Sequence, residues 1–206
     1  FGISSTATVH IGVGNDGFSI ENSMKLDGSG DYLSDSSQTG GSQTTWTFSV
    51  WAKRDTISDS ENLQRSLLAG GDGTVVDGHA NYDAIGFYND GFQFFLNNGF
   101  NVQLETYSTA STLKFEDPSI WHHIVVAYDS TNLVETDRVK VFIDGDQLTE
   151  FSSALYPDLG ETSNGINAAG EDLYIGRSSV LSAGRLHDGQ MAEAHFVDGQ
   201  ALDASS

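Results

Sequence analysis

An all-β sandwich of two antiparallel sheets is the fold class this sequence predicts, and three observations carry it. Residues 138–143 alternate with a period of two, Val139, Val141 and Ile143 on one face and Arg138, Lys140 and Phe142 on the other. Pairs that tolerate positive φ, such as Asn89-Asp90-Gly91, Asn98-Gly99 and Asp144-Gly145, punctuate the apolar runs as hairpin turns do. No helical period of useful length and no internal repeat interrupts them, and the 206 residues contain only two prolines. That length suits one large sandwich with a substantial core.

Taken in order, residues 1–22 are apolar and small, and are expected to form an arm or a first strand. The sandwich domain is expected to span residues 23–206. Met24 and Leu26 should face inward, followed by a Gly/Asp turn over Asp27–Asp31, with Tyr32 and Leu33 on the return strand. Next, Trp46, Phe48 and Val50 alternate against Thr47, Ser49 and Trp51, so the first three belong inside. Residues 55–64 are polar and read as a loop, and Ser66–Gly70 as the following strand. Ile85–Tyr88 and Phe92–Leu96 form a hairpin about Asn89-Asp90-Gly91, and 102–107 continue the meander. Trp121–Tyr128 has too few polar positions to face water along its length, so it reads as an inner strand with Trp121 and Val126 buried. Arg138–Ile143 should pair with it. Leu173–Ile175 and the segment around Met191–Phe196 supply the last strands.

The formal net charge is −20, nine basic residues against twenty-nine acidic ones. Such a chain repels phosphate backbones, which excludes nucleic acid as a partner. It attracts divalent cations and stays soluble in salt. Cysteine is absent, so neither disulfides nor thiolate metal sites are available. No secretion signal and no membrane-spanning apolar run is visible, and no membrane insertion is expected. Phe1 stands where Met would, so the chain is expected to follow a cleavage or to be one piece of a longer polypeptide.

Four phrases together resemble the laminin-G-like and pentraxin-like branch of the concanavalin A-like lectin/glucanase superfamily. They are Leu26-Asp-Gly-Ser-Gly-Asp-Tyr-Leu33, Trp46-Thr-Phe-Ser-Val-Trp-Ala-Lys53, Trp121-His-His-Ile-Val-Val-Ala-Tyr-Asp129 with Val139–Gly145, and Gly189–Phe196 with Asp198-Gly-Gln-Ala-Leu202. The resemblance runs from about Ser23 to Asp203 and implies a concanavalin A-like jelly-roll sandwich. Calcium occurs repeatedly in such relatives, which makes Asp27, Asp31, Asp188 and Glu193 candidate ligands, an ion tying the first strand to the last. Many relatives carry Asp where this chain has Ala192, which removes one carboxylate. The alternative is that these acids shape turns.

Catalysis of the superfamily's glucanase type needs carboxylates on one strand, about 5 Å apart, in a Glu-x-Asp-x-x-Glu spacing. The nearest match is Glu135-Thr-Asp137 with Lys140 in the third acid position, in a polar connection, so no catalytic residue is assigned. His122 and His123 are adjacent, point to opposite faces of a strand and read as structural. Sugar binding calls for aromatic rings flanked by amide or carboxylate groups. By residue type, Tyr82, Tyr88, Asn89, Phe92 and Tyr107, with Asn97 and Asn98, are the candidates.

The phrases around Trp121 and the closing "GQMAEAHFVDGQALDASS" are also similar to domains of marine bacteriophage virion proteins, tail-fibre-like or head-decorating. That resemblance implies a non-enzymatic structural or adhesion module on the virion surface. Its partners would be other virion proteins, host-surface glycans, or further copies of itself in a symmetric assembly. The absence of cysteine agrees with assembly in a reducing cytoplasm. The alternative is a carbohydrate-binding, lectin-like module of a secreted bacterial protein; a lyase on the same fold is a third and weaker reading.

Overall fold

The computed structural model describes residues 9–10, 19–20, 22–57, 64–73, 75–76, 79–80, 82–96, 102–106, 115–178 and 186–205. In chain order the strands are β1 (Val9–His10), β2 (Ser19–Ile20), β3 (Met24–Asp27), β4 (Leu33–Asp35), β5 (Thr45–Arg54) and β6 (Gln64–Gly70). Then come β7 (Val75–Val76), β8 (His79–Ala80), β9 (Asp83–Tyr88), β10 (Gly91–Leu96), β11 (Val102–Thr106) and β12 (His122–Asp129). The last are β13 (Val139–Ile143), β14 (Asp146–Gln147), β15 (Ser153–Leu155), β16 (Leu173–Ile175) and β17 (Asp188–Asp198). Two antiparallel sheets result: seven strands in the order β15-β11-β10-β9-β6-β16-β4, and six in the order β14-β13-β12-β5-β17-β3. β1 and β2 pair with each other outside both sheets, and so do β7 and β8.

The period-two reading explains the core. Trp46, Phe48 and Val50 of β5, Ile124, Val126 and Tyr128 of β12, and Val139, Val141 and Ile143 of β13 all point inward. They meet Leu67, Phe87, Phe92, Phe94 and Leu104 of the facing sheet in one cluster. Trp46 sits at its centre, stacked on Tyr128 and Phe196 at 5.2 and 5.7 Å and edge-on to Phe94 at 6.1 Å. Rings of this size dominate core energetics through the area they remove from water.

Two expectations need correction. Trp121 is half-buried, because β12 begins one residue later and the indole lies beneath the Lys53 ammonium, 5.9 Å from the ring centre. Tyr32 and Leu33 do not return beside β3. Asp27 accepts hydrogen bonds from the Ser29 and Gly30 N–H groups and Gly28 takes φ +69, and the chain then crosses to the edge of the other sheet. There, among the described residues, β4 pairs only with β16, and Leu33 is exposed.

Candidate functional site

The middle of the six-stranded sheet, β12, β5 and β17, carries the most informative outer surface. Since Val50 and Ala52 face the core, Ser49 and Trp51 must face out. His123 lies directly across from Trp51 on β12, and its imidazole stacks on the indole at 4.9 Å and 23°. Ser49 Oγ is 2.9 Å from His123 Nε2.

On the other flank, the register of β17 against β5 shifts between Ala192 and His195, a β-bulge. Glu193 takes φ +48 there, left-handed backbone that a non-glycine residue adopts only at a cost of roughly 1–2 kcal/mol. The bulge turns Glu193 and His195 out together, their side chains 50% and 62% exposed and His195 Nε2 3.3 Å from Glu193 Oε2. Ser49, Trp51, His123, Glu193 and His195 line an open depression of about 350 Å³. Burial pushes the His123 imidazole below its ordinary pKa, Asp144 offsetting part of this and His195 adding to it. His123 is therefore neutral at pH 7, one ring nitrogen donating and the other accepting. A broad ring floored by an imidazole and rimmed by a carboxylate, a hydroxyl and a second imidazole can hold the apolar face of a sugar and its hydroxyl edge.

His122 lies on the inner side of β12. Its ring meets Phe115 edge-on at 4.8 Å, and its Nδ1 is 2.8 Å from Asp144 in the turn after β13. Burial alone would raise the Asp144 carboxyl. Hydrogen bonds from His122 and from the His123 N–H outweigh it and hold the group below the usual carboxylate range. His123 points to the opposite face, as adjacency in a strand requires, and its ring forms half of the outer shelf. The signal for the shelf was a tryptophan on the polar face of a clearly alternating strand.

The residues singled out by type fall elsewhere. Phe92 is wholly inside the main core, and Tyr82 is buried edge-on to Phe95 in a small cluster with Ala69 and Ala84. Neither offers a ring to solvent, since an apolar ring in a meander is more often packing than platform. Tyr88 is half-buried at the end of β9, and Asn89, at φ +50, shapes the turn while its carbonyl accepts from Arg54. Tyr107, Asn97 and Asn98 lie outside the described residues.

Among the calcium candidates, Asp27 and Asp188 are direct cross-strand partners. The Asp27 carboxylate already accepts from Ser29 Oγ at 2.7 Å and from two backbone N–H groups, which lower its pKa, the Ser29 hydroxyl most. Asp188 accepts from the Thr56 hydroxyl. Asp31 follows on the same exposed turn. Glu193 is five residues further along β17, roughly 16 Å away at strand rise, so it cannot share an ion with them. Among the described residues no three His, Asp or Glu groups converge on a common point. Asp27 and Asp188 supply two facing carboxylates, and the six to eight oxygens calcium prefers would call on backbone carbonyls and water besides. Glu135 and Asp137 sit in a 3₁₀ turn before β13, and Asp137 pairs with Lys140 at 3.4 Å.

Residues 27–205 match a laminin G-like family model described as the concanavalin A-like lectin/glucanases superfamily. The chain belongs to that superfamily. Among curated proteins none matches its sequence. Several solved structures have a similar fold at low sequence identity. Domain 4 of AbnA, an extracellular arabinanase from Geobacillus stearothermophilus, is 15% identical, with a TM-score of 0.53 over 97% of this chain and 78% of that one. The CBM40 of a Ruminococcus gnavus sialidase is 13% identical, with a TM-score of 0.52 over 85% and 94%. A pentraxin of Limulus polyphemus is 12% identical, with a TM-score of 0.53 over 83% and 70%. At such identities the concanavalin A-like likeness extends to the fold alone.

Proposed function

We propose that this domain is a non-catalytic, lectin-like module that binds glycans on the outer face of the six-stranded sheet. The observation that carries the reading is the Trp51–His123 shelf beside the Glu193–His195 bulge: a solvent-facing aromatic platform with hydrogen-bonding groups at its rim. Solved domains of like fold support it. One is described in complex with arabinotriose, another bound to α2,3-sialyllactose. The non-catalytic part of the reading is supported by the pairing of Asp137 with Lys140 and by the place of Glu135 in a turn outside the sheets. The finer assignment, a module on the surface of a bacteriophage particle assembled with other virion proteins, follows from the closing phrase of the sequence. The alternative, a module of a secreted bacterial protein, has its own support in the extracellular arabinanase domain above.

A glycan array followed by calorimetry tests the binding. Neutral oligosaccharides should bind the intact domain, and Trp51→Ala should weaken them about tenfold or more with an unchanged circular dichroism spectrum, as expected for losing one stacked ring worth ~1–2 kcal/mol. Undiminished binding by Trp51→Ala, or no binding across a broad array, would sink the proposal. A reducing-end assay on the bound sugars should show no turnover. Hydrolysis abolished by Glu135→Gln or Asp137→Asn would make the domain an enzyme.

A further inference from the structure

Arg177 sits against two aromatic rings, Tyr32 and Tyr174. Lys25 pairs with Asp55 and Lys140 with Asp137, while Arg138 is held by the Asn132 and Pro157 carbonyls. Arg177 has no carboxylate partner among the described residues, in a chain with twenty-nine acids to nine bases. Its Nε donates to the Ser178 carbonyl at 3.1 Å. Its guanidinium carbon lies 4.5 Å from the ring centre of Tyr32 and 4.9 Å from that of Tyr174.

The fold fixes this arrangement. Leu173 and Ile175 pack on the main core, so Tyr174 between them projects from the outer face of the seven-stranded sheet. Its cross-strand neighbour Ala69 belongs to the small outer cluster. Tyr32, 39% exposed, meets Tyr174 edge-on at 6.1 Å. Gly176, at φ +82 and against Leu26, turns the chain, and Arg177 bridges to Leu186. Asp172, two residues before Tyr174, accepts from the Tyr174 hydroxyl at 2.9 Å and the Ser37 N–H at 3.2 Å, which orients the tyrosine.

We propose that Tyr32, Tyr174 and Arg177 form a second ligand site, on the sheet opposite the Trp51 shelf, that takes an acidic sugar. A guanidinium packed on two rings has lost most of its rotamer freedom and keeps its two terminal nitrogens as a planar fork, the geometry that carboxylate and sulfate groups accept in bidentate fashion. The exposed Tyr32 ring beside it supplies a surface for the sugar's C–H face. The net charge of −20 opposes an anion at long range, but that repulsion is screened beyond ~8 Å at physiological salt, while a contact pair is not. With two sites on opposite faces, one domain would bridge two glycan chains.

The test is calorimetry at 150 mM NaCl with three probes: tetragalacturonate, a sulfated galactan tetrasaccharide and neutral galactotetraose. The expected result is binding of one or both acidic probes, the pair telling carboxylate from sulfate. Arg177→Gln should cost at least tenfold for the acidic probe, Arg177→Lys an intermediate loss because the charge remains without the fork, and Trp51→Ala nothing. Melting midpoints of the Arg177 variants, within a few degrees of the parent, establish that they fold. No binding of either acidic probe, or full acidic-probe affinity in Arg177→Gln, overturns the proposal. Neutral-sugar binding lost in Trp51→Ala bears only on the first site, so the two proposals fail separately.

Discussion

His187 shows how one residue can set the domain's response to acid. It is fully buried, stacked on Phe87 at 5.9 Å and beside the Arg54 guanidinium, and among the described residues neither ring nitrogen has a well-aligned hydrogen-bond partner. Burial, and next the Arg54 charge, depress its pKa to about 4, whereas the unfolded chain protonates it near 6.5. Between those values the unfolded state binds the extra proton. Stability is therefore complete above pH 6.5, falls through the window to about pH 4 and levels off below it. From pH 7 to pH 5 the loss attributable to this group is about 2 kcal/mol. Urea melts at the two pH values should show it, and His187→Phe should flatten the difference; a slope unchanged in that variant would assign the acid sensitivity elsewhere. Nothing local to His187 pointed to this site, since the ring partner is 100 positions away in the other sheet. The sequence did show Trp46, Phe48 and Val50 as core, because alternation within one strand is a local property. Trp51 was legible as an outward tryptophan, yet its meaning depended on His123 and the β17 bulge, which only strand register brings alongside.

At the scale of elements, hairpins and sheet crossings obey different constraints. The Asp144-Gly145 turn has φ values of +54 and +91, the mirror-image turn that matches strand twist, and it closes β13 onto β14 as its sequence foretold. The Asn89-Asp90 turn closes β9 onto β10 with Asn89 alone of the two in the left-handed region, at φ +50. A side chain at Gly145 would meet nothing within 4 Å, so Gly145→Ala should cost only backbone strain, roughly 1 kcal/mol. Gly165 is the opposite case. A Cβ there would lie 2.1 Å from the Gly70 carbonyl oxygen, and the loop that carries Gly165 is pinned by two hydrogen bonds from its N–H groups to the buried Asp83 carboxylate. Gly165→Ala should therefore lower the melting midpoint several times more than Gly145→Ala, and similar shifts in thermal melts would refute the close packing. These long-range devices were invisible in the sequence, as was the crossing after Asp27. A period of two states which face a residue takes but not which sheet its strand joins.

For the whole molecule, charge sets the terms. A net charge of −20 on one domain strains the compact state by self-repulsion, more so when the Debye length of ~30 Å at 10 mM salt spans the particle. The melting midpoint should accordingly rise with NaCl, and a flat response would show that the acids are spaced widely enough not to interact. Calcium separates screening from site binding. The edge strand β3 is tied to β17 through the facing Asp27 and Asp188, and an ion there would close that edge. Calcium prefers six to eight oxygens. Here two carboxylates face each other, one engaged by Ser29 and Gly30 and the other by Thr56, with Glu193 out of reach. CaCl2 and NaCl at equal ionic strength should then give the same midpoint, since stabilisation by a specific ion grows as RT ln(1 + [L]/Kd) and fails to appear when [L] stays below Kd. A calcium-specific rise at millimolar concentration that Asp188→Asn removes and Glu193→Gln preserves would show instead that the Asp27–Asp188 pair gathers backbone oxygens around an ion.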